Sequence, residues 1–143
     1  MIYLDTSALL KLYIREPGSE SVQHALESQE QPVPVPDLLH WEFVNALRLK
    51  VFWGEVDSRT VDHLVALFDD RVLRGQYVVP EIDRARLTTD VRELSRHTET
   101  IGSRSLDVAH VAVALQLQVS TFLTFDDRQG ALAENAGLVV HLQ

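Results

Sequence analysis

The stretch from Ile2 to Leu10 constrains the fold more than any other. Ile2-Tyr3-Leu4 is short, apolar and β-friendly. Asp5-Thr6-Ser7 then brings an acid and two hydroxyls, and Ala8, Leu9, Leu10, Leu12 and Tyr13 follow with helical spacing. A short apolar run that stops at a turn residue reads as a buried strand. Thr6 or Ser7 is a suitable N-cap for the helix that follows. A strand passing straight into a helix opens a crossover unit, so Asp5 stands at the carboxyl edge of a parallel sheet, where open α/β sheets bind ligands. The plainer role for Asp5 is to cap the helix and do nothing more.

The same alternation continues along the chain. A helix from Ala8 to Ile14 is broken by Glu16-Pro17-Gly18, and a second runs from Ser19 or Ser21 to about Glu27. Val33-Pro34-Val35-Pro36 is a brief strand whose prolines put it at a sheet edge or a strand end. Asp37 to Trp53 is the strongest helical pattern, with Asp37 as N-cap and Leu38, Leu39, Trp41, Ala46, Leu49, Phe52 and Trp53 on one broad face. Gly54 ends it. Asp57 or Ser58 caps the next helix, with Val61, Leu64, Val65, Phe68 and Val72 inward, and Gly75 closes it. Tyr77 to Val79 is a third strand. Asp83 to Thr98 is a helix with Leu87, Val91 and Leu94 inward and a solvated, arginine-rich outer face. Leu106 to Val119 is apolar nearly all round, as buried helices are. Thr121 to Phe125 is a fourth strand, a short helix spans about Gln129 to Asn135, and Leu138 to Leu142 is a fifth strand. This order predicts a layered α/β domain with a mostly parallel sheet, one domain over residues 1–143.

Composition narrows the function. The formal net charge is −8, which argues against a broad basic surface for nucleic acid. There is no cysteine, so neither a disulfide framework nor a thiolate metal site exists, in keeping with a reducing cytoplasm. No basic leader and no spanning apolar run is visible, so a membrane role is not expected.

The acids fall at informative places. Asp5 and Asp126 each follow a strand directly. Glu42 interrupts the apolar face of the Asp37–Trp53 helix, and Asp107 sits in the first turn of the Leu106–Val119 helix, where the helix end favours a negative charge. A bare carboxylate in an apolar stripe is costly, so Glu42 must be paired, protonated or bound to a cation; a structural salt bridge is the plainer possibility. Four carboxylates sharing one pocket need a counter-charge, and hard divalent cations such as Mg²⁺ or Mn²⁺ take such oxygen ligands. The chemistry of such a site is a metal-activated water and a clamp on a phosphate oxygen. Asp107 and His110 are three apart on one helix, a metal-ligand spacing in some bundles; no second such pair exists, and core packing is the reading for His110.

At these residues the chain resembles a known family. Leu4-Asp5-Thr6-Ser7-Ala8-Leu9-Leu10-Lys11 is similar to the opening of PIN-domain ribonucleases, particularly the VapC-type toxins of toxin–antitoxin pairs. Pro36-Asp37-Leu38-Leu39 with Glu42-Phe43-Val44-Asn45-Ala46 resembles the second motif, Ser105-Leu106-Asp107-Val108-Ala109-His110-Val111-Ala112 the third, and Leu123-Thr124-Phe125-Asp126 the fourth. The resemblance implies a three-layer α/β/α fold with about five strands ordered 3-2-1-4-5. It implies a Mg²⁺ or Mn²⁺ site and metal-dependent cleavage of RNA by an endoribonuclease toxin. Asp5, Glu42, Asp107 and Asp126 match its acidic quartet, with Thr6 and Thr124 as hydroxyl positions beside it. Arg128 occupies a place where some relatives carry a further acid. The resemblance also implies a homodimer and a cognate antitoxin, with much of that contact expected between about Asp37 and Arg74. Arg104 and Arg128 are the local cations available to an RNA phosphate.

Rival readings fit less well. A receiver domain needs a phosphoacceptor Asp after the third strand and a Lys near the last; here Val79 leads to Pro80, and the lysines are Lys11 and Lys50. A haloacid-dehalogenase-type phosphatase needs Asp-x-Asp where this chain has Asp5-Thr6-Ser7. The remaining alternative is a catalytically inactive PIN-like module that binds a protein partner or RNA.

Overall fold

A computed structural model describes residues 1–27 and 29–142. Strand β1 (Ile2–Leu4) leads through Asp5 into helix α1 (Thr6–Leu10), followed by α2 (Ser19–Glu27) and β2 (Val33–Pro34). Two long helices come next, α3 (Asp37–Phe52) and α4 (Ser58–Leu73), then β3 (Tyr77–Val78) and α5 (Arg84–Leu94). A 3₁₀ turn at Ser95–His97 and the short α6 (Thr98–Ile101) lead to α7 (Ser105–Gln116), β4 (Thr121–Thr124), α8 (Asp127–Asn135) and β5 (Val140–Leu142).

The fold is the α/β class expected, with every strand pair parallel. The expected single five-stranded sheet is instead two pieces. β1, β4 and β5 form one sheet in the order β1-β4-β5, and β2 and β3 pair separately. The prolines explain the seam. The Val33 and Val35 amides donate to the Gln76 and Val78 carbonyls of the β3 side, at 3.0 and 2.8 Å. Alternate residues of a strand turn to opposite edges, so Pro32, Pro34 and Pro36 fall on the edge nearer β1, and proline has no N–H to give a ladder. On β1 the Ile2 amide donates to Gln29 Oε1, at 2.6 Å. The five strands keep the expected neighbours, but β1 and β2 adjoin without a ladder between them.

Side-chain alternation on β1 and β4 divides the interior in two. Leu4 and Leu123 join Ala8, Leu9, Val22, Leu39, Phe43, Leu47, Val61 and Phe68 on one side. Tyr3 and Phe122 join Val108, Val111 to Ala114, Leu132 and Ala133 on the other. Helices α1 to α4 therefore cover one face and α5, α7 and α8 the other, which gives the three layers.

Three local expectations are corrected. Asp5, rather than Thr6 or Ser7, is the N-cap of α1, since its Oδ1 accepts from the Ala8 amide at 2.8 Å. Pro36 rather than Asp37 occupies the N-cap position of α3, and it makes no side-chain capping bond. The inward stripe of α3 is Leu39, Phe43 and Leu47, whereas Trp41, Phe52 and Trp53 are 67%, 83% and 59% exposed. Apolar residues fall on more than one side of α3, and periodicity alone does not choose between the stripes they form.

Candidate metal and catalytic site

Sheet register sets the first half of the site. Leu4 lies opposite Leu123 in the parallel β1–β4 ladder, and the Asp5 amide extends it by donating to the Leu123 carbonyl at 3.1 Å. Asp5 and Thr124 are thereby level at the carboxyl ends of adjacent strands. Thr124, fully buried, donates its hydroxyl to Asp5 Oδ2 at 2.6 Å and accepts the Asp126 amide at 2.9 Å. One hydroxyl thus ties the first acid to the backbone of the fourth. Ser7 adds a second tie: its Oγ donates to Asp5 at 2.7 Å and accepts the Phe125 amide at 2.9 Å. Asp5 is 2% exposed. Burial pushes its carboxyl above the ordinary 3.8, against the hydrogen bonds from Thr124, Ser7 and the Ala8 amide and the nearby His110, which pull it down.

Glu42 joins from α3. Its Oε2 accepts from Thr6 Oγ1 at 2.7 Å and lies 2.6 Å from His110 Nε2 on α7. Burial alone pushes its carboxyl up, but the bonds from His110 and Thr6 outweigh that and hold it below the ordinary 4.5. The acid in the apolar stripe is therefore paired, as the cost of burying it requires.

Asp107 lies one turn before His110 on the same helix, half-buried. Its Oδ2 accepts the Arg104 amide at 2.7 Å. Asp126 is exposed and caps α8, its Oδ1 accepting the Arg128 and Gln129 amides at 2.9 and 3.0 Å. The cap of α8 is thus Asp126, and the helix starts at Asp127 rather than near Gln129. The Arg128 guanidinium donates to the Gly102 carbonyl at 3.3 Å, and Arg104 is exposed just before α7.

Burial first, and then the charges of Asp5 and Glu42, push the Tyr3 phenol well up. Asp126 is linked to Asp5 through Thr124, and Asp107 to Glu42 through the turn that carries His110. Among the described residues, however, no three His, Asp or Glu side chains are grouped so as to hold a metal ion. The site fits a hard cation in the kind of its donors, all oxygens, with one oxygen each of Glu42, Asp107 and Asp126 unbonded among the described residues, but the carboxylates are not drawn into one shell.

Tyr3, Ser7 and His110 escaped the sequence reading as parts of the site. Tyr3 shares a strand face with Asp5 by simple alternation, Ser7 lies two residues past it, and His110 is one turn from Asp107. Each signal was present, but only the fold shows which of several equivalent spacings is used. His110 is also buried, at 1% exposure, so its core position holds as expected while its two hydrogen bonds add to it.

Beside Glu42 a cleft of about 300 Å³ is lined by Thr6, Trp41, Asn45, Ala46, Leu49 and Leu106. No helix among the described residues is long and apolar enough to cross a membrane.

Comparison with known proteins bears on the fold and the family. The sequence profile of the PIN domain matches residues 2–135. Ribonuclease VapC47 of Mycobacterium tuberculosis (strain CDC 1551 / Oshkosh) is 30% identical over 144 residues, covering 97% of this chain and 94% of that protein. The crystal structure of Mycobacterium tuberculosis VapC20, described as a toxin that cleaves the sarcin–ricin loop, superposes with a TM-score of 0.72 at 18% identity, over 97% of both chains. VapBC2 from Rickettsia felis, solved bound to a DNA fragment from their promoter, gives a TM-score of 0.69 at 15% identity, over 99% of this chain and 98% of that one. With a profile match over nearly its whole length, and strand-end acids tied together by Thr124, the chain belongs to the PIN-domain family and to its VapC-type members.

Proposed function

We propose that this chain, as a single domain over residues 1–143, is a VapC-type endoribonuclease toxin that hydrolyses RNA phosphodiesters with Mg²⁺ or Mn²⁺. The observation that carries the reading is the Asp5–Thr124–Asp126 link. It brings two acids from opposite ends of the sequence to one sheet edge and buries the first of them against its own electrostatic cost. Asp5, Glu42, Asp107 and Asp126 are the residues that would hold the cation, and small turns of Asp107 and Asp126 would add their unbonded oxygens to it. A divalent ion bound there supplies an acidified water and charge stabilisation at a phosphate oxygen. The remaining work belongs to the chain. Ser7 and Thr124 hold both oxygens of Asp5, and Thr6 holds Oε2 of Glu42. Arg104 and Arg128 flank the acids and suit phosphate oxygens. RNA binding is then salt-dependent with few phosphate contacts, in keeping with a charge of −8.

The partner reading rests on α3. Trp41, Leu49, Phe52 and, just past the helix, Trp53 are exposed apolar side chains; Trp41 and Leu49 line the cleft beside Glu42, and exposed apolar side chains gathered at a cleft mark an interaction surface. It suits a cognate antitoxin, or a second copy in a homodimer, reaching toward the cleft. A protein of this kind works in the cytoplasm, where its RNA is.

One observation favours a second reading, a PIN-like module that binds RNA or a protein without cutting: among the described residues no three acids are grouped so as to hold a metal ion. Purified chain incubated with total RNA separates the two. The nuclease reading expects cleavage that needs Mg²⁺ or Mn²⁺, stops with chelator, and is lost in Asp5→Asn and Asp126→Asn. A clean preparation that cuts nothing, or cuts equally well as Asp5→Asn, supports the binding module instead.

A further inference from the structure

His110 is placed to do more than fill the core. Its Nδ1 lies 2.6 Å from Tyr3 Oη, and its Nε2 lies 2.6 Å from Glu42 Oε2. Both ring nitrogens are therefore engaged, in one line that runs from Tyr3 through His110 to Glu42. The line is rigid at its buried end. Tyr3 is fully buried and stacks on Phe122 with ring centroids 5.4 Å apart, and the His110 ring meets Tyr3 edge-on at 5.8 Å.

The chemistry of the pair fixes its direction. An ionised carboxylate only accepts, so the 2.6 Å contact places a ring proton on His110 Nε2, aimed at Glu42. The Tyr3 hydroxyl faces the other ring nitrogen. A ring proton on Nε2 leaves Nδ1 able to accept the Tyr3 hydroxyl; this tautomer is assigned from the network of partners. Thr6 Oγ1 donates to the same Glu42 oxygen at 2.7 Å. Two donors thus hold Oε2, while Oε1 has no partner among the described residues and Glu42 lines the cleft.

We propose that Tyr3 and His110 form a buried positioning relay, which clamps Oε2 of Glu42 through His110 Nε2–H and so presents Oε1 to the divalent cation. The inference rests on Glu42 being a cation ligand, as in the function proposed above. Ligating carboxylates are generally held by such outer hydrogen bonds, whose loss costs about 10–100-fold in metal affinity or activity. A histidine serving only to fill space would need neither a fixed tautomer nor a partner on each ring nitrogen.

The test combines long-range ¹H–¹⁵N NMR of the histidine side chains with Mn²⁺ titration followed by electron paramagnetic resonance. It uses the wild type, His110→Leu, His110→Gln and Tyr3→Phe, each first shown to be folded by its thermal transition. The wild type should show His110 protonated on Nε2. His110→Leu should weaken Mn²⁺ binding by about 10–100-fold. His110→Gln, whose amide can still donate to Glu42, should recover most of that loss, and Tyr3→Phe should fall between and admit the Nδ1–H form. The relay is overturned if the wild-type ring carries its proton on Nδ1, or if folded His110→Leu and Tyr3→Phe bind Mn²⁺ as the wild type does. A wild type that binds no Mn²⁺ at all gives a different pattern: it removes the cation from the proposed function, and the relay's purpose with it.

Discussion

Thr124→Val keeps the shape of a buried side chain and deletes one hydroxyl. That hydroxyl donates to Asp5 Oδ2 at 2.6 Å and accepts the Asp126 amide at 2.9 Å. A hydrogen bond to a charged partner contributes about 1.5–3 kcal/mol, and a partly buried amide left unpaired costs about 1 kcal/mol more. Asp5 keeps its bonds from Ser7 and the Ala8 amide, so the loss is partial, about 2–4 kcal/mol in all. For a chain of this size that lowers Tm by roughly 6–15 °C. Removing a donor that pulls the Asp5 carboxyl down also raises it further. The destabilisation should therefore be largest where Asp5 is ionised and should shrink as acid protonates it, because the bond then lost is one to a neutral carboxyl. Urea unfolding of the wild type, Thr124→Val and Thr124→Ser from pH 7 to pH 4 measures this, with Ser restoring the hydroxyl. Equal stability of Val and wild type at pH 7, or a loss independent of pH, would refute the reasoning.

Asp5 and Glu42 should respond to pH in opposite senses. The raised Asp5 carboxyl contributes stability below its ordinary 3.8 that is lost as pH rises through its folded value. The lowered Glu42 carboxyl contributes stability above 4.5 that is lost as pH falls through its own folded value. In metal-free buffer at pH 7, Glu42→Gln should accordingly lower Tm, and Asp5→Asn should lower it less or raise it; the reverse order contradicts the assignment. Phe43, fully buried and in ring contact with Tyr13 and Phe68, should cost about 3–5 kcal/mol on truncation to Ala in urea unfolding. Phe52→Ser and Trp53→Ser should change the stability of the isolated chain by no more than about 0.5 kcal/mol. The same two substitutions should weaken binding of a co-expressed antitoxin or self-association by light scattering, and unchanged association in both assays would remove α3 as the docking surface.

The acids were legible in the sequence because each interrupts a regular pattern. Asp5 and Asp126 end apolar runs, and Glu42 and Asp107 break apolar helices. What they bond to was not legible, since Glu42 and His110 are 68 residues apart, and Tyr3 and His110 are 107 apart. The strand neighbours were expected correctly, yet the seam between β1 and β2 was not. Its cause, proline at every second position from 32 to 36, reads in a sequence only as the mark of a sheet edge or a strand end. Helix α3 was found but turned the wrong way, because a helix apolar on more than one side carries no information about which stripe the core will take. The exposed stripe is where a partner acts, and the isolated chain supplies no signal for it.

The most direct measurement is a crystal structure of the metal-soaked wild type, with Mn²⁺ located by its anomalous scattering. The expected result is an ion bound directly by oxygens of Asp5 or Glu42 together with Asp107 or Asp126, with the last two side chains turned inward. An ion found elsewhere, or none at a Mn²⁺ concentration that supports RNA cleavage, would contradict the four-carboxylate site.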